Sequence, residues 1–191
     1  MGMIRSLTTD TPKTLILGVG AFYKGFTIGT DTPATATAKL LGATDGGGTL
    51  AIVPQIRQVS VDGAPGDVKG LKVNDGYTAT MTVNLKEATL ANLEMALGAH
   101  TTTSGTGIKT VVGKHEVVDA DYATNIVWAG TLAGQSNPVY IEIDNVLSVN
   151  GLNLTVNDKN EAVIPVTLTA HYALSDLDTP PFKIVYPVPA S

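Results

Sequence analysis

The sequence predicts a mainly β fold with one helix, and three observations carry that expectation. Twenty glycines in 191 residues, many threonines and only 5% aromatic residues favour short strands and turns over helices. From Gly42 to Leu85, glycine and aspartate mark turns while Val, Ile, Thr and Tyr fill the runs between them. Within that stretch Tyr77, Ala79, Met81, Val83 and Leu85 alternate with Thr78, Thr80, Thr82 and Asn84, which gives a strand one buried and one polar face.

Taken in order, residues 1–12 are polar and read as an N-terminal arm, with a single domain over 13–191 and no boundary or solenoid-period repeat inside it. Lys13 to Gly20 is a short apolar run expected to form a buried strand, and Phe22, Tyr23 and Phe26 supply the early aromatic bulk. Asp31 to Ala43 has no clear period and is longer than a hairpin loop, so it reads as a long loop. From Gly48 to Gly63 the apolar phase switches: Leu50, Ile52 and Ile56 share one parity, Val59 and Val61 the other. A bulge or bend near Pro54 to Gln58 resolves that conflict. Asp62-Gly63 then reads as a turn, and Gly66 and Gly70 offer positive φ for a tight reversal.

A single helix is expected at Thr89 to Leu97, capped by Thr89, striped by Leu90, Leu93 and Leu97, and ended by Gly98 in the left-handed conformation. Asn125 to Leu132 and Pro138 to Leu147 read as strands, the second half-buried, with Glu142 and Asp144 on its polar side. Asn150-Gly151 and Asp158-Lys159-Asn160 suggest meander turns around LNLTVN. Even positions from Ala162 to Tyr172 are apolar, Pro165 suggests an edge or bulge, and Phe182 to Tyr186 closes the set as a last short strand.

Composition excludes several classes of function. Without cysteine there is neither a disulfide framework nor a thiolate metal site. A net charge of -5 with no basic cluster argues against nucleic-acid binding by phosphate neutralisation. No apolar run approaches the roughly eighteen residues of a membrane span, and MGMIRSLTTD lacks a signal-peptide core, so no membrane association is expected. His100, His115 and His171 fall at no metal-ligand spacing, and Ser104 has no adjacent base. The glycines at 42 and 46–48 lack a Walker lysine, Gly18 and Gly20 lack the third dinucleotide glycine, and Asp119 with Asp121 form no calcium loop. The expectation is no catalytic, metal or cofactor-binding residue, and no enzyme.

What remains is a structural motif. Gly42, Ala43, Gly46 and Gly47, an extended run, then Val61, Asp62, Gly63, Gly66, Val68, Lys69 and Gly70, followed by an alternating strand and a leucine-bearing helix, resemble the major tail tube proteins of siphophages infecting Gram-positive bacteria. The resemblance covers about a quarter of the chain and is structural rather than catalytic. It implies two packed antiparallel sheets, a β-sandwich or partly open barrel with one short flanking α-helix. It further implies self-association into hexameric rings stacked as a hollow tube, other phage tail proteins as partners, genomic DNA passing without specific binding, and a place in the virion tail after assembly in the host cytoplasm. Acidic faces lining the bore would then repel phosphate, and the segment Asp31 to Gly48 with the N-terminal arm would contact other subunits while remaining dispensable to the core. The alternative from another class is a β-sandwich ligand- or carbohydrate-binding module or adhesin domain, for which Trp128, Tyr140 and Tyr172 are the available rings.

Overall fold

Ladder pairing follows the alternation of the sequence. The computed structural model describes residues 6–156, 158–159 and 161–188; Asn160 and most of the N-terminal arm's first half, residues 1–5, lie outside them. In chain order the strands are β1 (Ile16–Lys24), β2 (Thr44–Gln58), β3 (Lys72–Leu85), β4 (His100–Gly105), β5 (Ile108–Gly113), β6 (Ala123–Leu132), β7 (Val139–Ser148), β8 (Ile164–Thr169) and β9 (Phe182–Val185). The helix α1 (Leu90–Leu97) lies between β3 and β4.

Two antiparallel layers face each other, β1-β6-β7-β9 and β2-β3-β8, so the chain has the mainly β, sandwich-like architecture with one short helix that was expected. β7 joins the layers. Its body pairs with β6 on one edge and β9 on the other, while its last residues, Leu147 and Ser148, pair with Thr169 and Leu168 of β8. At that change of partner Asn145 adopts φ 47, a left-handed backbone that turns the strand from one layer to the other. Its amide donates to the His171 carbonyl at 3.0 Å, fixing the corner.

The core lies between the layers. Phe22, Ile126 and Ile143 come from one side and Met81, Val83, Leu85, Ile164, Val166 and Leu168 from the other, with Met95 and Ala96 of α1 added at its margin. Each large aliphatic side chain so buried contributes about 1.5–3 kcal/mol gross, most of it offset by conformational entropy. Thr89 caps α1 as expected, its hydroxyl accepting from Asn92 N at 3.2 Å. The buried side of the helix is Asn92, Met95 and Ala96, however, while Leu90, Leu93 and Leu97 are only half-buried. Asn92 can turn inward because its amide donates to the carbonyls of Leu41 and Glu87 at 2.8 and 2.9 Å. Gly98 ends the helix at φ 79 and ψ -124, a positive φ but not the left-handed helical conformation.

A second, smaller core corrects two further expectations. On the outer face of the first layer Tyr23, Val127, Ala129 and Tyr140 are covered by Phe26 and Ala36. Asp31 to Ala43 is therefore packed chain, with Ala36 and Leu41 buried and Leu41 in the main core. Its fold is pinned by Asp31, which accepts from Thr27 N at 2.7 Å and from Lys39 Nζ at 2.5 Å. Thr44 to Gly48 already belong to β2, so residues 31–48 are not dispensable to the core. Glu142 on the polar side of β7 is buried too, beside Asn125 and Lys183, so that face is not open to solvent as expected.

Lys13 to Gly20 is the reverse case. Ile16, Leu17 and Val19 are more than half exposed, because a bulge between Leu17 and Ala21, with Gly18 and Gly20 at positive φ, breaks the alternation of β1 where it faces the glycines of β2 across an open crevice. Of LNLTVN, Asn157 lies outside the described residues, and Leu152 to Val156 form no meander strand, only a bridge between Thr155 and Val163. A register shift does fall between Pro54 and Ile56, but the inserted residue lies in β3, between Asn74 and Tyr77, and not in β2 as expected.

Gly48 sets how closely the layers approach. A Cβ there would lie 2.4 Å from the Thr82 carbonyl oxygen and 2.7 Å from Phe22 Cζ, so backbone and a buried ring would both have to move. Gly48→Ala should destabilise the domain by about 1–3 kcal/mol, read as a lower urea midpoint at unchanged slope; an unaltered midpoint would contradict this packing.

Candidate functional site

The motif glycines and their neighbours fall at two separate places. Gly42, Gly46 and Gly47 sit where β2 enters the sandwich, all at positive φ, with Ala43 N donating to Glu87 Oε1 at 2.8 Å beside them. Gly46 and Gly47 form the bulge between Thr44 and Gly48 that lets β2 pass Val19 of β1. Asp62, Gly63, Gly66, Lys69 and Gly70 lie in the exposed connection between β2 and β3. Gly63 and Gly70 have φ 84 and 93 as expected, whereas Gly66 is not among the positive-φ glycines. These residues shape backbone; they do not converge on a pocket.

What they shape is a projecting ribbon. β8 pairs with β3 only from Thr80 to Leu85, so Val53–Gln58, Lys72–Thr78 and the connection at 59–71 continue as two strands without a third. Tyr77 still packs against Tyr172 and Phe182, so the strand residues that clear the sandwich are those from Gln55 to Gln58, a reach of about 13 Å before the turn begins. The Arg57–Asp75 contact at 2.6 Å, the Lys72–Asp67 contact, and Val59 N donating to Leu71 O at 2.8 Å hold the ribbon. Val53, Ile56, Val61 and Val73 stand exposed along it. Val53 has the outward phase of Thr49 and Ala51, and Ile56, Val61 and Val73 lie beyond the end of β8.

A second ribbon, β4-β5, projects after α1. Its base is tied down: Thr102 Oγ1 donates to Glu94 Oε1 at 2.5 Å, and Lys114 lies 2.8 Å from Asp121. Its outer face carries Thr101, Thr103 and Thr110 with the exposed Ile108 and Val112. Between the two layers a crevice of about 360 Å³ opens at the free edges of β1 and β2, lined by Val19, Phe22, Leu50, Met81, Trp128 and Ile141. No ladder joins β1 to β2 across it.

The outer face of the second layer is a field of hydroxyls. Thr49, Thr80, Thr82, Thr167 and Thr169 occupy it, with Thr82 and Thr167 in side-chain contact at 3.2 Å. Its ion pairs stand at the margins, Lys86 with Asp45 and Glu161 at one end and the ribbon pairs at the other.

Groups with chemical potential are engaged in structure. His100 Nδ1 is 2.6 Å from the Gly98 carbonyl and His171 Nδ1 is 3.0 Å from the Asn145 carbonyl. Ser104 lies in β4, paired in register with Lys109, rather than in a loop. Lys114, with the Val118 N–H, holds the Asp121 carboxyl below its usual range. Burial, then the neighbouring Glu142, pushes Asp144 up. Among the described residues no group of three His, Cys, Asp or Glu could hold a metal ion, and no helix is long and apolar enough to cross a membrane.

Sequence reasoning located the ribbon's turns but missed its exposed apolar residues. It missed β4-β5 as a projecting arm because threonine-rich strands without alternation look like loop. Neither a protein-family model nor a curated protein sequence matches the chain.

At Gly63 and Gly70 no atom lies within 4 Å of an added Cβ, so backbone strain is the whole penalty of substitution. Gly63→Val and Gly70→Val should each cost about 1–2 kcal/mol while the sandwich keeps its circular dichroism; wild-type urea midpoints would refute the strain. Asp121 has a depressed folded pKa, so its contribution is full above the ordinary value of 3.8 and is lost as pH falls through the folded value. Amide exchange in β4-β5 should therefore accelerate relative to β3 on acidification below about pH 4, an effect that Asp121→Asn should reproduce at neutral pH.

Proposed function

We propose that the protein is a structural virion subunit, the major tail tube protein of a siphophage, whose copies form hexameric rings stacked into a hollow tube for DNA passage. One observation carries this reading. A domain with a complete core also extends a two-stranded ribbon bearing exposed Val53, Ile56, Val61 and Val73, beside two strands, β1 and β2, that share no ladder, the edge of β1 being met only by Leu40 and Leu41 at Tyr23 and Phe22. Isolated two-stranded ribbons are marginal in water, and open edges are templates for another chain. Both are stabilised at once when copies pack edge to edge in a closed ring and lay their ribbons on neighbours.

The threonine face of the second layer is our candidate for the lining of the bore, in place of acidic faces. If the second layer faces inward, the wall is a hydroxyl surface without cations, and the net charge of -5 lies elsewhere on the subunit. Such a wall offers phosphate nothing to bind. In this reading other tail proteins meet the tube at its ends, DNA transits without specific contacts, and the subunit resides in the virion tail after assembly in the host cytoplasm.

The carbohydrate-binding alternative draws no support from its three rings. Trp128 Nε1 donates to the Val19 carbonyl at 2.9 Å, Tyr140 packs on Phe26 at 5.4 Å between centroids, and the Tyr172 hydroxyl accepts from Tyr77 N at 2.9 Å.

Negative-stain microscopy of concentrated protein should show rings or filaments, and a persistent 19.7 kDa monomer would overturn the reading. Replacing residues 59–71 by an Asn-Gly turn between Gln58 and Lys72 should leave a folded subunit that no longer forms long tubes. Tubes of normal length from that variant would remove the ribbon from assembly.

A further inference from the structure

We propose that β9 is an exchangeable strand: on assembly the segment Pro181–Pro187 of one copy leaves its own β7 and pairs with β7 of a neighbouring copy. The inference rests on the self-assembly reading above and names a contact within it.

The seat of β9 has the features of a peptide-binding groove. Tyr140 to Ile143 of β7 pair with Val185 to Phe182, and Asp144 N donates to the Pro181 carbonyl at 2.9 Å. Pro181 and Pro187 are buried at the two ends. Phe182 meets Tyr77 edge-on at 5.2 Å, and Lys183 Nζ lies 2.7 Å from Glu142 Oε2. Main-chain pairing with alternate side chains in fixed sites is how extended segments are recognised at a sheet edge. A second copy brings the same segment, so complementarity is met without any new surface.

The closed arrangement is lightly held and its connection is ready to open. β9 has four residues, pairs along one edge only, and leaves Ile184, Val185 and Tyr186 exposed. Leu174 at 93% and Leu177 at 64% exposure place apolar side chains in water along the link from β8. One turn folds that link: Asp176 N donates to the Ala173 carbonyl at 3.0 Å, and Asp176 Oδ1 accepts from Asp178 N and Thr179 N, both at 3.2 Å. Without the turn, the eight residues from Ala173 to Pro180 span up to about 26 Å at 3.3 Å each. Thr179 and Pro180 each precede a proline and so prefer extended backbone, which biases the opened link toward reach.

The Glu142 site decides between exchange and simple release. Its carboxylate is 3% exposed, with Asn125 Nδ2 on one oxygen and Lys183 on the other. A vacated seat would strand that carboxylate without its cation, a costly state. A departing β9 must therefore be replaced by another.

Because the chain has no cysteine, engineered thiols report the pairing directly. Ile141→Cys and Ile184→Cys lie opposite each other, as do Tyr140→Cys and Val185→Cys. Adjacent pairs alternate between wide and close spacing, so one of the two suits a disulfide. Single-cysteine variants are mixed as dilute monomers, concentrated until light scattering shows assembly, oxidised and run on a denaturing gel. Exchange predicts a heterodimer band at twice 19.7 kDa, at least tenfold stronger than the homodimer band of either variant alone. The assembled double-cysteine variant should give a covalent ladder. Assemblies in which that variant closes only within its own chain overturn the exchange and leave the assembly reading standing. Protein that stays monomeric at every concentration overturns both.

Discussion

Backbone hydrogen bonding at strand edges is the constraint on which the rest of this structure depends. β7 satisfies both of its edges, with β6 on one side and β9 followed by β8 on the other. That double commitment obliges it to change layers, and the left-handed Asn145 is where the backbone makes the change. Once β7 belongs to both layers the sandwich is closed on that side. The opposite side, between β1 and β2, has no such shared strand and stays open. Gly47 and Gly48 bring the two strands near enough for side-chain contact with Val19 and Phe22, yet no ladder forms across the gap. The asymmetry of the molecule, sealed at β7 and open at β1 and β2, follows from this one difference.

The legible parts of the fold were those where one face of a strand meets core and the other meets water. Tyr77 to Leu85 and Ile164 to Ala170 are of this kind, and their alternation gives both element and facing correctly. Pattern failed where burial does not follow chemistry. Glu142 looks like a solvent-facing residue but is buried, with Asn125 donating to one oxygen and the Lys183 ammonium 2.7 Å from the other. Ile16, Leu17 and Val19 look like core but are exposed, because the bulge between Leu17 and Ala21 breaks the strand's alternation at the mouth of the open crevice. Asp31 to Ala43 has no period, since an irregular segment covers a sheet with isolated anchors such as Ala36 and Leu41. Periodicity reports the facing of regular elements and is silent about the irregular chain that covers them.

The candidate site was legible to a similar degree and for related reasons. Turn chemistry at Asp62-Gly63 and Gly70 is local, set by the few residues whose backbone tolerates positive φ, and so it could be read directly. Gly66 shows the limit, since a glycine is permitted positive φ but not compelled to take it. Whether a hairpin stays inside the sheet or runs beyond it depends on the length of its neighbour. β8 is six residues long and β3 fourteen, and that mismatch creates the ribbon. Nothing local to residues 53–76 encodes it.

The same mismatch bears on how copies of the subunit would interact. In a sheet whose strands end together, apolar side chains beyond the core would be a hazard, since an exposed flat edge invites any partner. Here the exposed residues sit on a ribbon bent by the bulge opposite Pro54 and flanked by the Arg57–Asp75 and Lys72–Asp67 pairs. Ile56 and Val73 stand on opposite faces of the ribbon, so a partner must match apolar side chains on two faces together with charges of both signs, and indiscriminate strand pairing is disfavoured. The threonine face carries Val53 where the ribbon begins. If copies associate as proposed, attraction between them is concentrated on the ribbon and the open edges, and the broad face between them is left polar and uncharged.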